Sequence, residues 1–135
     1  MIRPGATLGL VGGGQLGRMF TTRARSMGFD VWVLDPDPDS PAGGVASRHL
    51  QFGYDDPEGL TILAQGCAAV TTEFENVPAQ ALDHLAQTTR VVPPPAAVAI
   101  AQDRIKEKNF LQQHDIPTAP FATIRKREDL SIAWE

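Results

Sequence analysis

Thr7-Leu8-Gly9-Leu10-Val11-Gly12-Gly13-Gly14-Gln15-Leu16-Gly17-Arg18-Met19 is the stretch that decides the fold of this chain. It reads as a short apolar strand, a glycine-rich turn and the start of an amphipathic helix. Gly12, Gly14 and Gly17 satisfy G-x-G-x-x-G between a predicted strand and a predicted helix, the context that gives the pattern meaning. A turn this tight needs residues without a Cβ, because the backbone takes unusual dihedrals and must approach a ligand or the helix closely. The N–H groups at the helix start then offer a site for an anion or a polar ligand. The stretch predicts a nucleotide-fold βα unit and leaves its ligand open.

Reading outward, Leu16, Met19, Phe20, Ala24 and Met27 recur at helical spacing and are expected to face the core, with Gly28 at a left-handed C-cap. Val31-Trp32-Val33-Leu34 is a continuous apolar run, as expected of a strand covered on both faces. It ends at Asp35, before a loop whose alternating Pro36, Pro38 and Pro41 exclude helix and central strand. His49-Leu50-Gln51-Phe52 predicts a third strand, and Asp56-Pro57 opens a helix through Leu60 and Leu63. Ala68–Thr72 predicts a fourth strand running into Glu73-Phe74-Glu75-Asn76. Pro78 starts a helix with Ala81, Leu82 and Leu85 inward, and Val91-Val92 is expected to add a fifth strand. This alternation implies an α/β fold, a Rossmann-like parallel sheet with helices on both faces. Pro93-Pro94-Pro95 marks a boundary, so 1–95 is expected to form the first domain. Residues 96–135 then hold helices near Ala96–Ala101 and from Asp103 to His114-Asp115, and a strand at Phe121–Ile124, as the start of a second unit.

Composition narrows the function. A length of 135 residues with 42% hydrophobic content suits roughly one domain of about 100–200 residues, with a real core. A net charge of −4 and a pI near 5.3 argue against a dedicated nucleic-acid surface. Arg125-Lys126-Arg127, the only basic run, reads as a solvated turn. No stretch approaches the ~20 apolar residues of a membrane helix, and the N-terminus lacks a signal-peptide layout. Cys67 is the only cysteine, so no intrachain disulfide forms and a cytoplasmic setting is expected. Its place before Ala68-Ala69-Val70 predicts a packed thiol. His49, His84 and His114 have no metal-site spacing, and neither a P-loop lysine nor a Ser-His-Asp arrangement is recognisable.

Ligands of a doubly wound sheet bind beyond the carboxyl ends of its strands. Gly12–Gly17, Asp35–Asp39 and Glu73–Asn76 converge there. Asp35 lies 18 positions after Gly17, close to the ~20 at which an acidic residue meets a ribose hydroxyl in NAD-binding domains. An NAD-binding redox module is therefore open, as is a plain turn role for Asp35. Glu73 and Glu75 share a side if the extended conformation persists. A carboxylate there accepts hydrogen bonds from a ligand's amino or hydroxyl groups, caps the following helix, or stays solvated. A non-catalytic interaction fragment is a third open reading.

These segments together resemble one family, the N5-carboxyaminoimidazole ribonucleotide synthetases of the ATP-grasp enzymes in purine biosynthesis. The resemblance rests on Gly12-Gly13-Gly14-Gln15-Leu16-Gly17-Arg18-Met19, Val33-Leu34-Asp35-Pro36-Asp37, Thr72-Glu73-Phe74-Glu75-Asn76-Val77-Pro78, Ala101-Gln102-Asp103-Arg104 and Ile116-Pro117-Thr118-Ala119-Pro120. It runs from about residue 6 to residue 124, and only the triple proline departs slightly from the family pattern. The resemblance implies a ligase that uses ATP to activate bicarbonate as carboxyphosphate and carboxylates aminoimidazole ribonucleotide. Gly14, Gln15, Leu16, Glu73 and, more weakly, Glu75 would contact the ribonucleotide, and Arg104 would reach the ATP phosphates. Family members are often homodimers and continue through an ATP-grasp domain that carries the ATP-clamping lysines and the magnesium ligands. The chain is therefore expected to be the N-terminal part of such a ligase, with no catalytic or metal-binding residue of its own and no activity alone. Missing its neighbours, such a domain would expose apolar surface.

Overall fold

Four segments become strands: β1 (Thr7–Val11), β2 (Asp30–Leu34), β3 (Arg48–Leu50) and β4 (Ala69–Thr72). In the computed structural model, which describes residues 1–132, they form one parallel sheet in the order β3-β2-β1-β4. The crossovers are α1 (Gln15–Ser26), α2 (Pro57–Gly66) and, beyond β4, α3 (Ala79–Ala86). The chain divides into two compact units, Met1–Val98 and Ala99–Glu135. The division falls three residues beyond the triple proline because Val98, in α4 (Pro95–Ala101), is buried in the first unit's core.

Strand pleating sorts that core onto two faces. Val11, Leu34 and Val70 point to the face covered by α2 and α3, where Leu60, Leu63, Ala81, Leu82 and Leu85 meet them. Leu10, Val31 and Val33 point the other way, toward Ala24 of α1 and Ala42. Each fully buried leucine contributes about 1.5–3 kcal/mol. Asp56 caps α2, accepting from the Glu58 and Gly59 N–H groups, with Pro57 in the first turn.

Helix α1 departs from its predicted packing. Leu16, Met19, Phe20 and Met27 are exposed, and the buried face is Gly17, Thr21 and Ala24. An added Cβ on Gly17 would stand 3.0 Å from both the Gly12 carbonyl oxygen and Leu10 Cδ2, so the helix lies too close to the glycine turn for large side chains. Small residues settled its rotation, and the apolar stripe turned outward. Gly28 does end the helix with φ +85°. Among the described residues the buried Thr21 hydroxyl has no hydrogen-bond partner. Thr21→Val keeps the shape and removes the unpaired group, so urea unfolding should show a gain of about 1 kcal/mol.

Three predicted strands change. The third begins at Arg48 and stops at Leu50, where the Phe52 N–H turns back to the Leu50 carbonyl. Val91-Val92 forms only an isolated parallel bridge to Val70, because the prolines that follow carry no N–H to extend the ladder. Phe121–Ile124 carries no ladder among the described residues. The second unit instead holds α5 (Arg104–Gln113), capped by Asp103, and α6 (Asp129–Ile132). The Lys106 N–H on the Asp103 carboxylate is the main reason that its pKa is lowered.

Cys67 packs beside Gly9 and is 8% exposed, as a packed thiol should be. Burial pushes its pKa from 9.0 up to about 12. In the native chain it should resist thiol reagents at neutral pH and react only at the rate of unfolding. Across the window from about 9 to about 12 the unfolded thiol ionises and the buried one does not. Stability should therefore fall as pH rises through that window. A pH titration of the unfolding midpoint in wild type against Cys67→Ala checks the sign.

Candidate functional site

The glycine turn is held by three acceptors from the ends of two strands, β2 and β4. The Gly12 N–H donates to the Leu34 carbonyl at 3.0 Å. The Gly13 N–H donates to Asp35 Oδ2 at 2.7 Å, and the Gly14 N–H donates to Glu73 Oε2 at 2.7 Å. Two carboxylates from the ends of β2 and β4 thus clamp two successive amides, each at a charge-assisted distance. Gly12 has φ +100°, and its Cα lies under the Phe74 ring. At Gly14 an added Cβ would stand 2.5 Å from Glu73 Oε1.

Asp35 is 6% exposed and fully engaged. Besides Gly13, its Oδ1 accepts from the Asp37 N–H at 2.9 Å and its Oδ2 from the Tyr54 hydroxyl at 2.8 Å. The carbonyl of Asp35 lies 3.1 Å from His49 Nε2, which must carry the proton to satisfy it. Burial, then the hydrogen bond to Asp35, raises the Tyr54 pKa well above its ordinary value, so the phenol stays a donor. The Tyr54 ring also meets Phe74 edge-on, with centroids 5.3 Å apart.

Gly13, Gly14, Asp35, Ser40, Tyr54 and Glu73 line a single open cleft of about 340 Å³. The convergence expected at the carboxyl ends of the strands is therefore present, and Asp35 resolves to a structural role. The arrangement also opposes the NAD alternative. A pyrophosphate needs the turn amides as donors, and here Asp35 and Glu73 occupy them with negative charge. The cleft suits hydroxyl or amino donors, because a carboxylate with one oxygen engaged keeps acceptor capacity.

The other predicted site residues fall in different places. Gln15 and Leu16 are exposed at the start of α1, where no side chain caps the helix amides. Glu75 does not share the side of Glu73: the strand ends at Thr72, whose hydroxyl donates to the Phe74 carbonyl and turns the chain. Glu75 is exposed and outside the cleft lining. Arg104 belongs to the second unit, exposed at the start of α5 and paired with Glu107. Sequence reading missed Tyr54 and Ser40. The available signal for Tyr54 was an aromatic residue inside the polar turn Gly53-Tyr54-Asp55-Asp56, at the carboxyl end of β3.

Among the described residues no group of three or more His, Cys, Asp or Glu is placed to hold a metal ion. No helix among them is long and apolar enough to cross a membrane.

A parallel sheet with a glycine turn clamped by two carboxylates defines an α/β domain of the nucleotide-fold class. The ribonucleotide synthetase pre-ATP-grasp domain model matches residues 5–102, and the chain belongs to that family. The N5-carboxyaminoimidazole ribonucleotide synthase of Brucella melitensis is 46% identical over 98% of this chain, which covers 36% of that protein. The crystal structure of the Staphylococcus aureus N5-carboxyaminoimidazole synthetase complexed with ADP superposes with a TM-score of 0.91 at 38% identity, over 97% of this chain and 35% of that one. The Aspergillus clavatus N5-carboxyaminoimidazole synthase, solved with ADP and 5-aminoimidazole ribonucleotide, gives a TM-score of 0.83 at 30% identity, over 95% of this chain and 35% of that one. The chain thus spans about a third of the length of the relatives it matches.

Proposed function

We propose that this chain is the amine-substrate domain of an ATP-dependent ligase that carboxylates 5-aminoimidazole ribonucleotide. The observation that carries the reading is the Glu73 carboxylate, fixed by the Gly14 N–H at 2.7 Å within the cleft at the strand ends. It agrees with the likeness to a synthase solved with that ribonucleotide. In the reaction, bicarbonate takes the γ-phosphoryl group of ATP to give carboxyphosphate and ADP. The ribonucleotide amine then attacks the carboxyl carbon, phosphate leaves, and the amine loses a proton.

The part of this chain is to bind and orient. Glu73 accepts from a ribose hydroxyl or the amine, the Gly14 segment sets the depth of the ligand, and Gln15 and Leu16 contribute side chain or uncapped amide. Glu75, exposed beyond the cleft lining, would reach the ligand only as a secondary contact from the same segment. Arg104 meets the ATP phosphates, which compete readily with Glu107 for an exposed guanidinium. Magnesium accompanies the ATP, with ligands outside the described residues. The ligase works in the cytoplasm as a homodimer, and the chain alone does not turn over.

Amide NMR titration of the chain with aminoimidazole ribonucleotide and with NAD, in separate samples, tests the reading. The ribonucleotide should shift Gly14, Gln15, Leu16 and Glu73, and NAD should shift none of them. Shifts at Gly12–Gly17 and Asp35 with NAD alone would replace the ligase with a redox module.

A further inference from the structure

We propose that Tyr54 is a positioning residue, which sets the spacing of the two carboxylate clamps and so the affinity of the cleft for the ribonucleotide. The proposal deepens the function above and rests on it. It starts from what one side chain touches. The Tyr54 hydroxyl donates to Asp35 Oδ2, the oxygen that also holds the Gly13 N–H. Its ring edge meets Phe74, which lies against the Cα of Gly12 and directly follows Glu73. Tyr54 therefore bridges the clamp from β2 and the segment that supplies the clamp from β4, from a loop that belongs to neither.

That bridge has a mechanical consequence. Asp35 is tied to its own loop by the Asp37 N–H, so its carboxylate has little freedom once the phenol is seated. Phe74 sits close over the turn in the space that the missing side chain of Gly12 leaves, its ring atoms 2.8 and 2.9 Å from where a Cβ would be. Seated between Asp35 and Phe74, the tyrosine acts as a spacer, and Glu73 inherits its position. Burial and the neighbouring carboxylates hold the phenol protonated, so the spacer keeps its donor through the physiological range.

Tyr54→Phe removes the donor and leaves the ring on Phe74. Measured on this chain by amide NMR, the variant should shift the Gly13 and Gly14 amides. It should also weaken ribonucleotide binding about fivefold, less than the full loss of a hydrogen bond to a charged group because the phenol acts on the ligand at one remove. Because the phenol acts through Asp35, Tyr54→Phe should add little further loss in an Asp35→Asn background. Leu85→Val, a core change in α3, lowers stability without touching the cleft and should leave both amides and the affinity in place. A Tyr54→Phe chain with unchanged Gly13 and Gly14 amides and unchanged affinity would overturn the proposal. So would full additivity with Asp35→Asn. Should the wild-type chain itself fail to bind the ribonucleotide, the functional reading falls instead, and the two amides and their response to Asp35→Asn alone decide whether Tyr54 is the spacer.

Discussion

Alanine at Gly12 should destabilise the chain by about 2–5 kcal/mol, which sums a left-handed penalty of ~1–2 and an overpacking cost of ~1–3. The backbone there has φ +100°, a region that L side chains rarely adopt. The added Cβ would stand 2.8 Å from Phe74 Cδ1 and 3.1 Å from Glu73 Cβ, so strain and collision act together. Phe74 has no easy retreat, because its ring is braced by Tyr54. The thermal midpoint should drop by roughly 10 °C. Paired with Phe74→Leu, the same alanine should cost less, because the ring collision is relieved while the dihedral penalty and the Glu73 contact remain. A loss below about 1 kcal/mol in the single variant would mean that the turn adopts another conformation than the one described.

The second large effect concerns binding. Glu73→Gln should weaken the ribonucleotide about 10–100-fold, the equivalent of losing a charge-assisted contact of about 1.5–3 kcal/mol. The amide side chain still reaches the Gly14 N–H, so the fold should survive. Gly14→Ala attacks the same contact from the other side. Gly14 has φ −73°, an angle that alanine adopts freely, so the backbone carries no penalty. Its Cβ would nevertheless stand 2.5 Å from Glu73 Oε1 and push the carboxylate away. The two variants should give similar losses, and the double variant little more than either. Titration of each chain with the ribonucleotide decides it. Wild-type affinity in both would remove Glu73 from the site.

The relation between turn and carboxylates also says why a glycine fingerprint alone is a poor guide to ligand. The pattern dictates a βα turn with exposed amides, and what fills those amides comes from elsewhere in the chain. Asp35 is 22 positions from Gly13, and Glu73 is 59 from Gly14. The spacing of Asp35 from the glycines suggests a ribose reader, whereas its burial and the three donors on its carboxylate give it to the protein.

Much of the fold was legible because local rules and burial agreed. The Val31–Leu34 run, Pro57 at the head of α2 and the inward face of α3 all stand where hydrophobic pattern and helix-start chemistry put them. Leu16, Met19, Phe20 and Met27 were misread because helical periodicity reports an apolar stripe without reporting which neighbour it meets. At α1 the governing quantity is the distance between helix and turn, which the small face of Gly17, Thr21 and Ala24 satisfies. The fifth strand failed for a comparable reason: Val91 found a bridge to Val70, and the prolines denied it a ladder.

By itself the amino-acid sequence determined the βα opening, the parallel α/β class, the buried thiol and the three loops that gather at the strand ends. Each follows from interactions within a few residues, or from a periodicity that burial must respect. The tertiary structure alone decided which face of α1 is buried, that Asp35 is structural, that Glu73 and not Glu75 lines the cleft, and that Tyr54 joins the two clamps. These depend on distances between segments far apart in the chain, and sequence spacing carries no information about them until the sheet brings them together.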